Sequence, residues 1–135
     1  TNLARLMQTL INEGKNEKAE KVIDLAMAKM PLEYFEYYSL LEPFAAGYYE
    51  VGQKEKARNM LSKLVKKQQE LLTYYSSWKA SDQNFSAMDI MMDIEQYRSF
   101  LEVAKNGNDL EFYNKEKVKF NNFNKMFERF GRKME

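Results

Sequence analysis

The stretch "LMQTLINEGKNEKAEKVIDLAMAKMP" (Leu6–Pro31) has a near-copy in "FAAGYYEVGQKEKARNMLSKLVKKQQ" (Phe44–Gln69), shifted by 38 residues. The shift pairs Gly14 with Gly52, Glu17-Lys18-Ala19 with Glu55-Lys56-Ala57, Leu10-Ile11 with Tyr48-Tyr49, and Val22-Ile23 with Met60-Leu61. In the first copy Leu3, Leu6, Met7, Leu10 and Ile11 recur at the spacing of one helix face until Gly14 stops them. A second beat, Ala19, Val22, Ile23, Ala26, Met27 and Met30, then runs to Pro31, whose missing N–H cannot continue a helix. The repeated glycine suits a tight helix-to-helix turn because it tolerates positive φ. The repeated alanine, five residues later, keeps a small side chain where the second helix meets the first.

Downstream of the second copy the beat Ala57, Met60, Leu61, Leu64, Val65, Leu71, Leu72, Tyr75 and Trp78 predicts one helix from Lys54 to about Lys79, roughly 25 residues and about 37 Å long. "ASDQNFS" reads as a loop, and Met88, Met91, Ile94, Tyr97, Leu101 and Ala104 as a fifth helix ending at Gly107. Asn108 with Glu111 forms a candidate capping box for a sixth, with Leu110, Tyr113, Phe120, Phe123, Phe127 and Phe130 along one side. This third pair has Phe112 where the alanine would fall, as suits a terminal pair with no neighbour beyond it. The spare residues of the longer repeat fall in "PLEYFEYYSLLEP", where Pro43 marks a bend or a helix entry.

Composition narrows the chemistry. At 135 residues, 44% hydrophobic and 30% charged with two prolines and five glycines, the chain fits one folded, helix-rich domain spanning 1–135. With no histidine and no cysteine it cannot build a Ser-His-Asp or Cys-His nucleophile, an imidazole or thiolate zinc site, or a disulfide. A formal charge of +1 provides no global field towards nucleic acid. No apolar run reaches the length of about 18 residues that a membrane span needs. A helical beat already running at Leu3, without a leading Met, suggests a piece of a longer protein.

The spacing Leu6, Leu10, Gly14, Ala19, Ile23, Ala26, Pro31, repeated by Phe44, Ala45, Tyr48, Gly52, Ala57, Leu61 and Leu64, resembles a tetratricopeptide repeat. It departs from that family in its period of 38 against about 34 and in Gln69 at the place of the terminal proline. The resemblance implies an all-α, right-handed stack of about six or seven helices in antiparallel pairs, at about 1–31, 35–79 and 84–130. It also implies a concave face, carrying Ala4, Gln8, Ile11 and Asn12 from the first copy and Glu42, Ala46, Tyr49 and Glu50 from the second. The lysine and asparagines that clamp a terminal carboxylate in chaperone-binding members would fall at Ala4, Gln8 and Ala46, so that clamp is absent. More narrowly, "NLARLMQTLINEGKNEKAEKVIDLAMAKMP", the tyrosine-rich joint and "EPFAAGYYEVGQKEKARNML" resemble the C-terminal extracytoplasmic segment of bacterial multi-pass membrane proteins related to protein O-mannosyltransferases. That resemblance implies a periplasmic domain on a membrane-embedded, glycosyltransferase-like body, whose catalytic residues would lie before Thr1.

Three other groupings have plainer readings. Tyr34, Tyr37, Tyr38, Tyr48 and Tyr49 suit an interface, or a core shielded by hydroxyls. Asp89, Asp93 and Glu95 form an acidic helix face, better read as solvated than as a metal site. The tail from Lys115 carries seven cations against Glu116, Glu128 and Glu135, a local net of seven minus three, or +4, with four phenylalanines interleaved as core. The expectation is therefore a non-catalytic interaction or scaffolding domain without cofactor or metal. Its partner is a protein, a peptide or the adjoining domain of the same chain, not nucleic acid, and a membrane is met only through the missing upstream part. Gln8, Ile11, Asn12, Glu42, Ala46, Tyr49 and Glu50 are the candidate contacts, and a stand-alone cytoplasmic adaptor with a peptide groove is the alternative.

Overall fold

Apolar side chains at three- and four-residue spacing become helices throughout the computed structural model, which describes residues 2–29 and 38–134. Among the described residues there are eight helices and no strand. They are α1 (Asn2–Asn12), α2 (Asn16–Lys29), α3 (Tyr38–Glu50), α4 (Lys54–Ser76), α5 (Ala80–Phe85), α6 (Ala87–Asn106), α7 (Leu110–Met126) and α8 (Glu128–Met134). Pro31 and most of the tyrosine-rich joint lie outside the described residues.

Three successive pairs pack across a short turn: α1 on α2, α3 on α4, α6 on α7. Further contacts join α2 and α1 to α3, and α3 to α6. The 23-residue α4 touches α3, α6 and α7, so it runs through the middle of the molecule as its longest element. It buries Ala57, Met60, Leu61, Leu64, Val65, Gln68 and Leu72. Together with Ile23, Phe44, Ile94, Phe100 and Phe120 they form one continuous core. Each large apolar side chain buried there contributes roughly 1.5–3 kcal/mol before entropy is counted.

The two repeated glycines do what their spacing asks. Gly14 has φ +76° and Gly52 φ +83°. Around each, the same two bonds close the helix: Gly14 N–H donates to Ile11 O at 2.9 Å and Lys15 N–H to Leu10 O at 2.8 Å, while Gly52 donates to Tyr49 O and Gln53 to Tyr48 O. These are the paired bonds of a Schellman turn, which satisfy carbonyls that the helix end would otherwise leave orphaned. Ala19 and Ala57 follow, both fully buried.

A third turn repeats the bonding, one residue off the expected register. Asn108 N–H donates to Lys105 O at 3.0 Å and Asp109 N–H to Ala104 O at 2.9 Å, and the left-handed residue is Asn108, φ 59°, not Gly107. This corrects the capping box: Asn108 lies in the turn, and Asp109 is the N-cap of α7. It also makes Tyr113, rather than Phe112, the counterpart of Ala19 and Ala57. Gly107 is required for space instead, since a Cβ there would strike the ring of Tyr49.

Four other expectations change. "ASDQNFS" is not a loop: Ala80–Phe85 is a short helix, held by Gln83, whose Nε2 donates to Tyr75 O at 2.9 Å. The sixth helix is not continuous, because the backbone leaves helical geometry at Phe127 (φ −118°, ψ 19°), and this lets the Phe127 and Phe130 rings stack 6.4 Å apart. The central helix stops at Ser76, three residues short of Lys79. Pro43 does not open a helix but sits inside α3, exposed to solvent.

Candidate functional site

On α3 the positions Glu42, Ala46, Tyr49 and Glu50 fall at spacings of four, three and one and therefore share a face. The structure sets that face against α6. Glu42 accepts two hydrogen bonds from it, at 3.0 Å from Gln96 Nε2 and at 2.7 Å from Ser99 Oγ. Gln96 and Ser99 are one turn apart, so the carboxylate is gripped between successive turns of α6.

Two open clefts follow this seam. The larger, about 770 Å³, is lined by Glu42 together with Met91, Met92, Glu95, Arg98 and Glu128. The smaller, about 310 Å³, lies towards the other end and is lined by Ala46, Tyr49, Glu50, Val103 and the turn at Gly107. Both fall within the span typical of ligand or side-chain pockets for the first and at its lower edge for the second. The α3 candidates are thus brought together with α6. Gln8, Ile11 and Asn12 on α1 line neither cleft: Gln8 Nε2 donates to Asn12 Oδ1 at 3.0 Å on the exposed side, and Ile11 is half-buried against the core.

Tyr49 is committed within the fold. Its hydroxyl donates to Asp109 Oδ2 at 2.8 Å, and the same carboxylate accepts a two-pronged grip from Arg58, Nε to Oδ2 at 3.0 Å and Nη2 to Oδ1 at 2.6 Å. The Asp109 side chain is fully buried. Burial by itself would push its carboxyl up, but the bonds from Arg58 and Tyr49 outweigh that and hold it below its usual value. Burial, and then the bond to Asp109, push the Tyr49 hydroxyl well up, so it stays protonated. This three-way tie joins α3, α4 and α7 and was missed in the sequence. The only signal was an acid within "NGND", whose partners lie 51 and 60 residues away.

No family model, curated protein or solved structure matches this chain. What the site can do therefore has to be argued from its own side chains. The clefts present carboxylates, thioethers, amides, the Arg98 guanidinium and the Ser99 and Tyr49 hydroxyls. Among the described residues no group of three or more acidic side chains is placed to hold a metal, and no helix is long and apolar enough to cross a membrane.

The remaining groupings have structural occupations. Tyr48 Oη donates to Asp24 at 2.6 Å, and Lys56 bridges Glu20 and Asp24, stitching α2 to α3 and α4. Asp93 is half-buried beside Gln68 and Tyr75, and burial above all raises its pKa. In the basic tail Phe120, Phe127 and Phe130 are buried, and Arg98 and Lys117 lie 5.1 and 4.9 Å from the Phe120 ring centre. Tyr97 meets that ring edge-on, its own hydroxyl pushed up to about 12 by burial.

Proposed function

We propose that this segment is a non-catalytic interaction domain, a tetratricopeptide-like stack of antiparallel helix pairs that receives a protein segment along the seam between α3 and α6. The observation that carries this is the pair of clefts on one continuous face, lined by four α3 positions that the repeat pattern assigns to a concave surface. The threefold recurrence of one turn, at Gly14, Gly52 and Asn108, supports a stack built from like units. The absence of histidine and cysteine argues against most hydrolytic and redox chemistry in the segment.

A photo-crosslinking side chain at Ala46 or Glu50 tests it, with exposed Lys18 on α2 as the control position. A partner of this domain should crosslink from Ala46 and Glu50, and Glu50→Arg, at an exposed position, should weaken capture while the circular dichroism melt stays unchanged. Equal labelling from Lys18 would sink the seam as the binding face. The repeat-like succession quoted above also supports attachment to an extracytoplasmic face of a membrane-embedded, glycosyltransferase-like body. Protease added to intact spheroplasts should then cleave this segment in the full-length protein, whereas full protection would favour the cytoplasmic adaptor.

A further inference from the structure

The larger cleft between α3, α6 and α8 is lined by three acids and two thioethers. Glu42, Glu95 and Glu128 line it against one cation, Arg98, a local net of one minus three, or −2. Glu42 is fixed there by two neutral donors, Gln96 and Ser99, so its charge is positioned without being cancelled. Arg98 offsets one of them, its Nε 3.3 Å from Glu95 in a half-exposed pair one turn apart while its guanidinium faces the Phe120 ring of α7, and Glu42 and Glu128 carry the remaining charge. The smaller cleft extends the same polarity, adding Glu50 and no cation.

Between these carboxylates lie Met91, packed partly on the core, and Met92, 66% exposed. Unbranched thioethers adapt to apolar side chains of varied shape, and their exposure beside acids leaves an apolar strip with a negative border. Complementarity then selects the reverse pattern: an apolar residue flanked by cations.

We propose that this cleft binds a cationic amphipathic peptide segment, its apolar side chains on Met91 and Met92 and its lysines or arginines beside Glu95 and Glu128. This deepens the interaction reading above and rests on it. Glu42 acts as the fixed inner charge that sets the register of the incoming cation.

Three fluorescein-labelled synthetic peptides test it by anisotropy against the whole 135-residue chain: one of lysine and leucine in amphipathic helical order, one with glutamate for lysine, one with serine for leucine. The lysine–leucine peptide should bind, weaken as salt rises, and lose about tenfold or more in affinity with Glu95→Lys plus Glu128→Lys, exposed changes that leave the melt intact. A photo-crosslinker in place of Met92 should label it. Equal or tighter binding of the glutamate–leucine peptide, crosslinked from the same position, would overturn the charge assignment while leaving the seam as an interaction face. Equal binding of the lysine–serine peptide would overturn the methionine strip as a determinant and reduce the effect to charge alone. If none of the three labels position 92, both this proposal and the seam itself fall.

Discussion

Asp109 shows how much one side chain can be asked to hold. Fully buried, it is held as an anion by Arg58 and Tyr49, which approach it from two other helices, with Lys54 Nζ a further 3.9 Å away. Arg58→Met removes the hydrogen-bonded cation from a buried charge, leaving the longer Lys54 contact, and should lower stability by about 2–4 kcal/mol in a urea melt. The pH signature separates this from ordinary packing loss. In the native chain the Asp109 carboxyl lies below its unfolded value, so its stabilisation is complete above that value, near pH 4, and fades as pH falls towards the folded one. Without Arg58 the largest of the lowering bonds is gone, so the folded value should rise and the loss of stability on acidification should shrink. If the variant loses stability on acidification as steeply as the parent, Arg58 does not set the charge of Asp109. Glycines make a second residue-scale case. Gly52→Ala places a side chain in left-handed backbone at a cost of about 1 kcal/mol, whereas Gly52→Asn should cost less, since Asn108 already occupies the matching turn. Gly47→Ala differs in kind: its backbone is ordinary, but the new Cβ would strike the Met7 sulfur and crowd Ile23 at 3.1 Å. Overpacking costs about 1–3 kcal/mol and exceeds the gain of about 1 from helix propensity, so a net loss is expected.

At the scale of elements, the informative helix is the last one. A run of cations interleaved with phenylalanine fits either a surface-binding helix or a core helix, and periodicity does not choose between them. Packing does: Phe127 is 1% and Phe130 2% exposed, and the break between α7 and α8 stacks the two rings. Phe130→Ala should therefore destabilise by about 3–5 kcal/mol, read from the shift of a thermal or urea transition. A change below 1 kcal/mol would mean that α8 is not docked on α6. The same reasoning explains α5, which is too short to reveal a helical beat. Its order comes from Gln83, which reaches back to Tyr75 and accepts from Arg129 Nη2 at 2.6 Å, so two distant elements make a helix where local composition reads as a loop.

For the molecule as a whole, α4 decides cooperativity. Because α3, α6 and α7 all lean on it, no outer pair has a separate core to retain when α4 comes undone. Helicity by circular dichroism and the fluorescence of Trp78, the single tryptophan, should report coincident urea transitions. Separate midpoints would show the first pair, α1 and α2, melting independently, as a loosely coupled repeat array allows. Trp78 stands just past the C-terminal end of α4, edge-on to Tyr74 and Tyr75, so it senses the end of α4 far from α1.

The sequence by itself determined the helical class, most helix spans, and two of the three turns. These are local matters: a period near 3.6 marks a helix face, and Gly14 and Gly52 mark where φ must turn positive. It misplaced the third turn by a residue because both Gly107 and Asn108 tolerate that geometry, and only the clearance needed by the Tyr49 ring separates their roles. Four of the seven candidate site residues, Glu42, Ala46, Tyr49 and Glu50, fall along the α3–α6 seam, since one helix face is legible from spacing. What faced them was not legible. The grip of Gln96 and Ser99 on Glu42 and the commitment of Tyr49 to Asp109 join residues more than fifty apart in the chain, and the methionine strip is bordered by acids from three helices. Only the docking of whole helices decides such pairs, because periodicity records which side of a helix is apolar and not which neighbour that side will meet.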